Sequence, residues 1–188
     1  MPRVEIFNRD EVLEKVVKLF HSKGYNATSM QDLVDVTGLN RSSIYNSFGN
    51  KMELYQESLR VYKKQASTYV QKVLINNSEP LETIRKIFTT NPEDKLNGCF
   101  LGNCTTEMAN QDREIKKFLT NNLNAMQDLF EELVTKGQSV GSINSNKSAK
   151  AYAVYLFTAL QGLRITGILL NEQHELESIV DTILSVLK

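Results

Sequence analysis

At 188 residues, with 41% hydrophobic and 23% charged positions, the chain has a globular composition that excludes a disordered polymer. Its 22 Lys/Arg and 22 Asp/Glu cancel to a formal net charge of zero, so no general positive field is offered to a polyanion. No apolar run approaches the ~20 residues that span a bilayer, and two cysteines are too few for a disulfide framework, in keeping with a reducing compartment. The opening stretch MPRVEIFNRDEV lacks the apolar core of a signal peptide, so the expected location is the cytoplasm.

The whole sequence reads as helix. Pro2, Pro80 and Pro92 fall at the terminus or between periodic segments, and no stretch alternates with period two between hairpin turns. The first helix opens on Asn8-Arg9-Asp10-Glu11, a capping box with Asn8 as N-cap and Glu11 at N3, with Phe7 and Val12 placed as a hydrophobic staple. Leu13, Val16, Val17 and Phe20 continue it at helical spacing, and Gly24 ends it. A second box, Thr28-Ser29-Met30-Gln31, opens a short helix with Met30, Leu33 and Val34 inward, broken by Gly38. Asn40 caps a third helix from Arg41 to Phe48, and Asn50-Lys51-Met52-Glu53 starts a long fourth.

Beyond residue 76 the spacing predicts longer helices over 80–91, 97–110, 112–136, 147–170 and 173–187, with the clearest joint from Gly137 to Asn146. The last carries Leu176, Ile179, Val180, Ile183, Leu184 and Leu187 as a wide apolar stripe. Its predecessor is apolar nearly all round from Ala151 to Leu170. The predicted class is all-α, about nine helices in two parts: a small head and a helical body.

Residues 28–48 have the layout of a helix-turn-helix. The second helix of such a motif must be polar outside to lie in a major groove about 12 Å wide. Arg41, Ser42, Ser43, Tyr45, Asn46 and Ser47 supply that face here, while Ile44 and Phe48, four apart, turn inward. The N-termini at Thr28/Ser29 and at Lys51 offer backbone N–H groups to phosphates. Residues 1–64 hold ten Lys/Arg and eight Asp/Glu, a balance of only +2, so DNA contact has to come from local placement of charge.

The run from Thr28 to Lys51 resembles the DNA-binding head of the TetR family of regulators. The likeness is carried by Gly24-Tyr25, Gly38, Tyr45, Phe48, Lys51 and Leu54, and covers about residues 6–55. Val34 stands where the family usually has alanine. The resemblance implies a three-helix head joined by a long helix to a ligand-sensing and dimerisation body over 56–188. It implies phosphate contacts by Tyr45 and Lys51, a further contact by Thr28 and Ser29, and base reading by Arg41, Ser42, Ser43 and Asn46. Asn40 belongs to the same face, with capping as its first role; Tyr45 could instead pack on the head. By chemistry, Arg41 suits guanine and Asn46 adenine.

Two half-sites require a two-fold dimer with heads about 34–36 Å apart or a little more. The last two helices are the expected interface, four of them forming a bundle, with Ala159, Gly162 and Gly167 permitting close approach. The alternative is that both serve only the monomer's core. The segment Asn97-Gly98-Cys99-Phe100-Leu101-Gly102-Asn103-Cys104 resembles the Gly-Cys-x-x-x-Asn stretch of NemR-type members, some of which sense electrophiles or oxidants through cysteine. Cys99 takes the matching position, Cys104 is extra, and Phe100 and Asn103 lie beside them. Five residues apart on a helix, the two thiols rise ~7.5 Å, beyond the ~7 Å Cα limit of a disulfide. A metal site lacks ligands, since His21 and His174 belong to the first and last helices; no cofactor is expected. Cys99 is either a reactive trigger or an ordinary small buried residue. A small-molecule pocket lined by Phe88, Phe100, Met108, Phe118, Met126, Phe130, Tyr155 and Phe157 is the other expected input, though such residues also make plain core.

The expected function is a one-component transcriptional regulator, foremost a repressor, that binds a palindromic operator as a homodimer and is released by a small molecule or by thiol modification. An activator and an effector-free architectural DNA-binding protein are the alternatives. An enzyme built on Cys99 would need a nearby base, which its own segment does not supply.

Overall fold

The computed structural model describes residues 7–89, 98–170 and 172–188. Among them lie nine helices and no strand: α1 Arg9–Lys23, α2 Met30–Thr37, α3 Arg41–Phe48, α4 Lys51–Asn76, α5 Pro80–Thr89, α6 Phe100–Met108, α7 Arg113–Ser139, α8 Ala149–Thr166 and α9 Gln173–Ser185.

The head helices begin where their caps dictate. Asn8 accepts from the amides of Asp10 and Glu11, and Asn40 from that of Ser43. Asn50 and Glu53 form a reciprocal box. The α2 box is shifted by one residue from the predicted one: Ser29 is the N-cap and Asp32, at N3, returns the bond. Thr28 is withdrawn because its hydroxyl donates to the Gly24 carbonyl at 2.6 Å, closing the turn after α1. Each such cap contributes about 1 kcal/mol.

Two apolar cores result. The first gathers Val16, Phe20, Leu33, Ile44, Phe48, Leu54, Tyr55 and Leu59 with Phe100, Cys104 and Met108 of α6 and Ile115 and Leu119 of α7. The second holds Val73, Ile84, Phe88, Phe130, Val134, Tyr152, Leu156, Leu160, Val180, Leu184 and Leu187. Helix α4 runs through both, as the long connection should. A boundary at residue 55 therefore does not divide the packing, because α6 completes the head's core.

Three other boundaries differ from the sequence reading. Gly137 is inside α7, not at its end: the helix continues to Ser139, and a Cβ at Gly137 would sit 2.5 Å from Ile143 Cδ1. The glycine serves close packing rather than a break. Helix α6 starts at Phe100, because Gly98 adopts φ +67° and Cys99 is extended before it. Helix α8 ends at Thr166 instead of 170. The predicted end of the helix from residue 80, and Asn97, lie outside the described residues.

Helix α8 buries Tyr152, Ala153, Leu156, Leu160 and Leu163. Its other side leaves Val154 and Ile165 exposed, followed by Ile168 and Leu169. Among the described residues no helix is long and apolar enough to cross a membrane.

Candidate nucleic-acid interface

Helix α3 is anchored by Ile44 and Phe48, 1% and 5% exposed, which fixes what its other face presents. Arg41, Ser42, Tyr45 and Asn46 are exposed, and Ser43 is half-buried. The Tyr45 hydroxyl has no protein partner among the described residues, while the Arg41 guanidinium reaches only the Gln31 carboxamide, at 3.4 Å. Asn40 spends its side-chain oxygen on the Ser43 amide at 2.9 Å. At the start of α4, the Lys51 ammonium stands 4.3 Å over the Tyr25 ring, half-buried. Burial pulls its pKa down, opposed by the negative charges of Glu107 and Asp32. The ring holds the cation at the head's edge, beside the α4 N-terminus.

At the start of α2 the side chains of Thr28 and Ser29 are engaged within the head. Thr28 is 1% exposed and its hydroxyl is used internally. Ser29 donates both its amide, at 2.7 Å, and its hydroxyl, at 2.8 Å, to Asp32. Asp32 also binds the Lys23 ammonium at 2.7 Å; that bond, with those from Ser29, holds its carboxyl well below the usual range. What α2 can still offer a phosphate is the first-turn amides of Met30 and Gln31, which have no acceptor among the described residues. Two of the head's cations are likewise committed: Lys23 to Asp32, and Arg9 to Glu57, the Ser47 carbonyl and the Phe48 ring. Arg41 on α3 and Lys51 at the start of α4 make no such ion pair among the described residues.

The cysteine segment packs against the head. Cys99 is 6% exposed, and Arg164 of α8 donates to its Sγ at 3.3 Å. Cys104 is fully buried, and burial pushes its thiol up to about 11 against a smaller downward pull from the Tyr55 hydroxyl. Burial of this kind favours the protonated thiol. Phe100 is 1% exposed, among the rings of His21, Tyr55 and Tyr62. Asn103 is half-buried on α6, and both cysteines are free. Of the expected pocket residues, Phe88 and Phe130 pack ring to ring in the second core. Phe118 borders a cleft of about 270 Å³ between α4 and α7, floored by Leu59 and Ile115 and rimmed by Gln56, Arg60, Lys117 and Asn121.

The family profile for bacterial regulatory proteins of the tetR family matches residues 12–57, and that for the tetracyclin repressor-like C-terminal domain matches 81–183. The chain belongs to the TetR family. It is a transcriptional regulator, not an enzyme, and its class is all-α. This TetR-family chain is 25% identical over 193 residues to the uncharacterized HTH-type transcriptional regulator YezE of Bacillus subtilis, covering 100% of both chains. It is 27% identical over 173 residues to the HTH-type transcriptional repressor ComR of Escherichia coli, covering 88% of this chain and 81% of that one. Among solved structures, a cysteine mutant of the TetR family regulator CifR, complexed with 26-base-pair operator DNA, superposes with TM-score 0.85. That match has 21% identity and covers 99% of this chain and 100% of the other. The regulatory protein TetR from Rhodobacter sphaeroides superposes with TM-score 0.86 at 18% identity, covering 95% and 98%.

Sequence reasoning missed three residues of the TetR-family head–body joint. His21 Nε2 is 2.7 Å from the Gly98 carbonyl, Arg164 reaches Cys99, and Glu107 binds the turn after α1. These contacts span 65 to 82 residues of sequence, and polar partners that far apart leave no periodic trace.

Proposed function

We propose that this regulator is a repressor that binds a palindromic operator as a homodimer through α8 and α9. The observation that carries the reading is the outward face of α3: Arg41, Ser42, Tyr45 and Asn46 are exposed on a helix locked from behind by Ile44 and Phe48. Arg41, Ser42, Ser43 and Asn46 read base edges; Tyr45, Lys51 and the first-turn amides of α2 hold phosphates. Repression follows from occlusion of a promoter in the cytoplasm, which needs no surface for recruiting polymerase, and ComR is named a repressor.

Selection of bound sequences from random DNA tests this directly. An inverted repeat is the expected result; retention indifferent to sequence would make the protein architectural instead. Arg41→Ala is expected to weaken binding about 5- to 150-fold and to relax the preference at one base pair per half-site, the worth of a bidentate guanine contact. Lys51→Ala is expected to weaken all sequences alike and to lower the salt slope by about one unit for each phosphate no longer neutralised. Anisotropy titrations at several salt concentrations separate the two patterns.

Release from DNA is the second half of the proposal, by a small ligand or by modification of Cys99. The Arg164 guanidinium, 3.3 Å from Sγ, supports that reading of Cys99, since modifying the thiol would break a link from α8 to the start of α6. Any adduct at this buried site would force α6 away from α8. With N-ethylmaleimide as probe, the native protein is expected to leave its operator and Cys99→Ser to stay bound. Equal release of both removes the thiol switch and leaves the ligand.

A further inference from the structure

Helix α6 meets the head at both of its ends. At the first, His21 on α1 is hydrogen-bonded to the Gly98 carbonyl at 2.7 Å. At the second, Glu107 accepts the amide of Tyr25 at 2.9 Å through Oε2 and that of Asn26 at 2.7 Å through Oε1. Both amides belong to the turn between α1 and α2. Gly24 leads into that turn with φ +79°, and a Cβ there would lie 2.9 Å from Glu107 Oε2. The glycine thus serves a left-handed backbone and the close approach of the carboxylate together.

The turn does not need Glu107 in order to close. Thr28 donates its hydroxyl to the Gly24 carbonyl and its amide to the Tyr25 carbonyl at 3.3 Å. What the carboxylate adds is a link from the body to the segment from which the helix-turn-helix hangs. The two anchors are nine residues apart and lie on either side of the α6 stretch from Phe100 to Glu107, itself about 10 Å long. A head held at one of them can pivot, whereas a head held at both has a fixed rotation. Glu107 also faces Lys51, and Lys51 in turn rests on the Tyr25 ring, so the clamp includes the phosphate-contacting lysine.

We propose that Glu107 is a positioning residue for operator recognition: by clamping the Tyr25 and Asn26 amides it fixes the head's rotation on the body. In a dimer that rotation sets the separation of the two α3 helices, and hence the half-site spacing the protein accepts. The inference rests on the dimeric, palindrome-reading function proposed above. One base pair of spacer moves a half-site by about 3.4 Å and turns it by about 35°, so spacing is a sensitive gauge of head orientation.

The test uses the full chain, the inverted repeat obtained by selection, and versions with one base pair added to or removed from the spacer. Glu107→Gln is isosteric but cannot accept both amides, and a thermal melt confirms that it is folded. The native protein is expected to show a sharp spacing optimum. Glu107→Gln is expected to bind the best operator about tenfold more weakly, the scale of a charge-assisted hydrogen bond, and to discriminate spacers far less. Hydrogen exchange at the Tyr25 and Asn26 amides should quicken in the same variant. An unchanged spacing profile, or an equal loss at every spacing, overturns the proposal, since a purely structural residue would produce either. A native protein indifferent to spacing would overturn the dimeric reading and this proposal with it.

Discussion

Val154→Asp combined with Ile165→Asp is expected to give a folded monomer near the chain mass of 21.4 kDa that binds its operator at least about a hundredfold more weakly. The two side chains are 44% and 55% exposed on α8, on the side opposite Leu156, Leu160 and Leu163. Ile168, Leu169 and Val186, 42%, 79% and 48% exposed, extend the apolar surface toward the chain's end. Between them Gly162 is open, since a Cβ there would meet nothing within 4 Å, so a second helix can approach closely. Burying each such side chain contributes roughly 1.5–3 kcal/mol, and a two-fold interface counts every residue twice. An unpaired carboxylate in that place costs several kcal/mol instead. The fold of the single chain should survive, because neither side chain belongs to its core. Analytical ultracentrifugation gives the mass and operator titration the affinity; a variant that stays dimeric would move the interface elsewhere.

The proposed interface illustrates what an amphipathic pattern can and cannot convey. Apolar residues nearly all round α8 announce burial on several sides, but not which side meets the same chain and which a second copy. The same contrast runs through the head. Caps are local, so Asn8, Asn40 and Asn50 could be read directly, and Gly38 adopts the left-handed turn its position suggested. The choice between Thr28 and Ser29 could not be read, because both can cap and only the Gly24 carbonyl, four residues back, decides between them. Net charge is uninformative for a related reason: it does not say which cations are spent internally, as Arg9 is on Glu57 and Lys23 on Asp32. Least legible was α6. Its apolar residues promised burial, but nothing local says that they complete the head's core instead of lining a ligand pocket.

Phe100→Ala is the substitution that weighs this placement, with an expected loss of about 3–5 kcal/mol in unfolding free energy. The ring is 1% exposed and stands among three others: stacked on His21 at 5.4 Å, and edge-on to Tyr55 at 5.7 Å and Tyr62 at 5.6 Å. Those partners belong to α1 and α4, so one side chain from the body pins the head and the connecting helix together. Removing it leaves a void lined by rigid rings, which collapse poorly, and this places the cost toward the upper part of the range. Phe100→Leu keeps most of the apolar volume and should cost markedly less, since shape rather than hydrophobicity is what it alters. Urea unfolding followed by far-UV circular dichroism and by tyrosine fluorescence measures both variants. If the alanine form loses less than about 1 kcal/mol, as surface substitutions do, Phe100 is not a joint between head and body. If instead the two probes separate, with the head melting before the body, the ring cluster is what makes the two cores one cooperative unit.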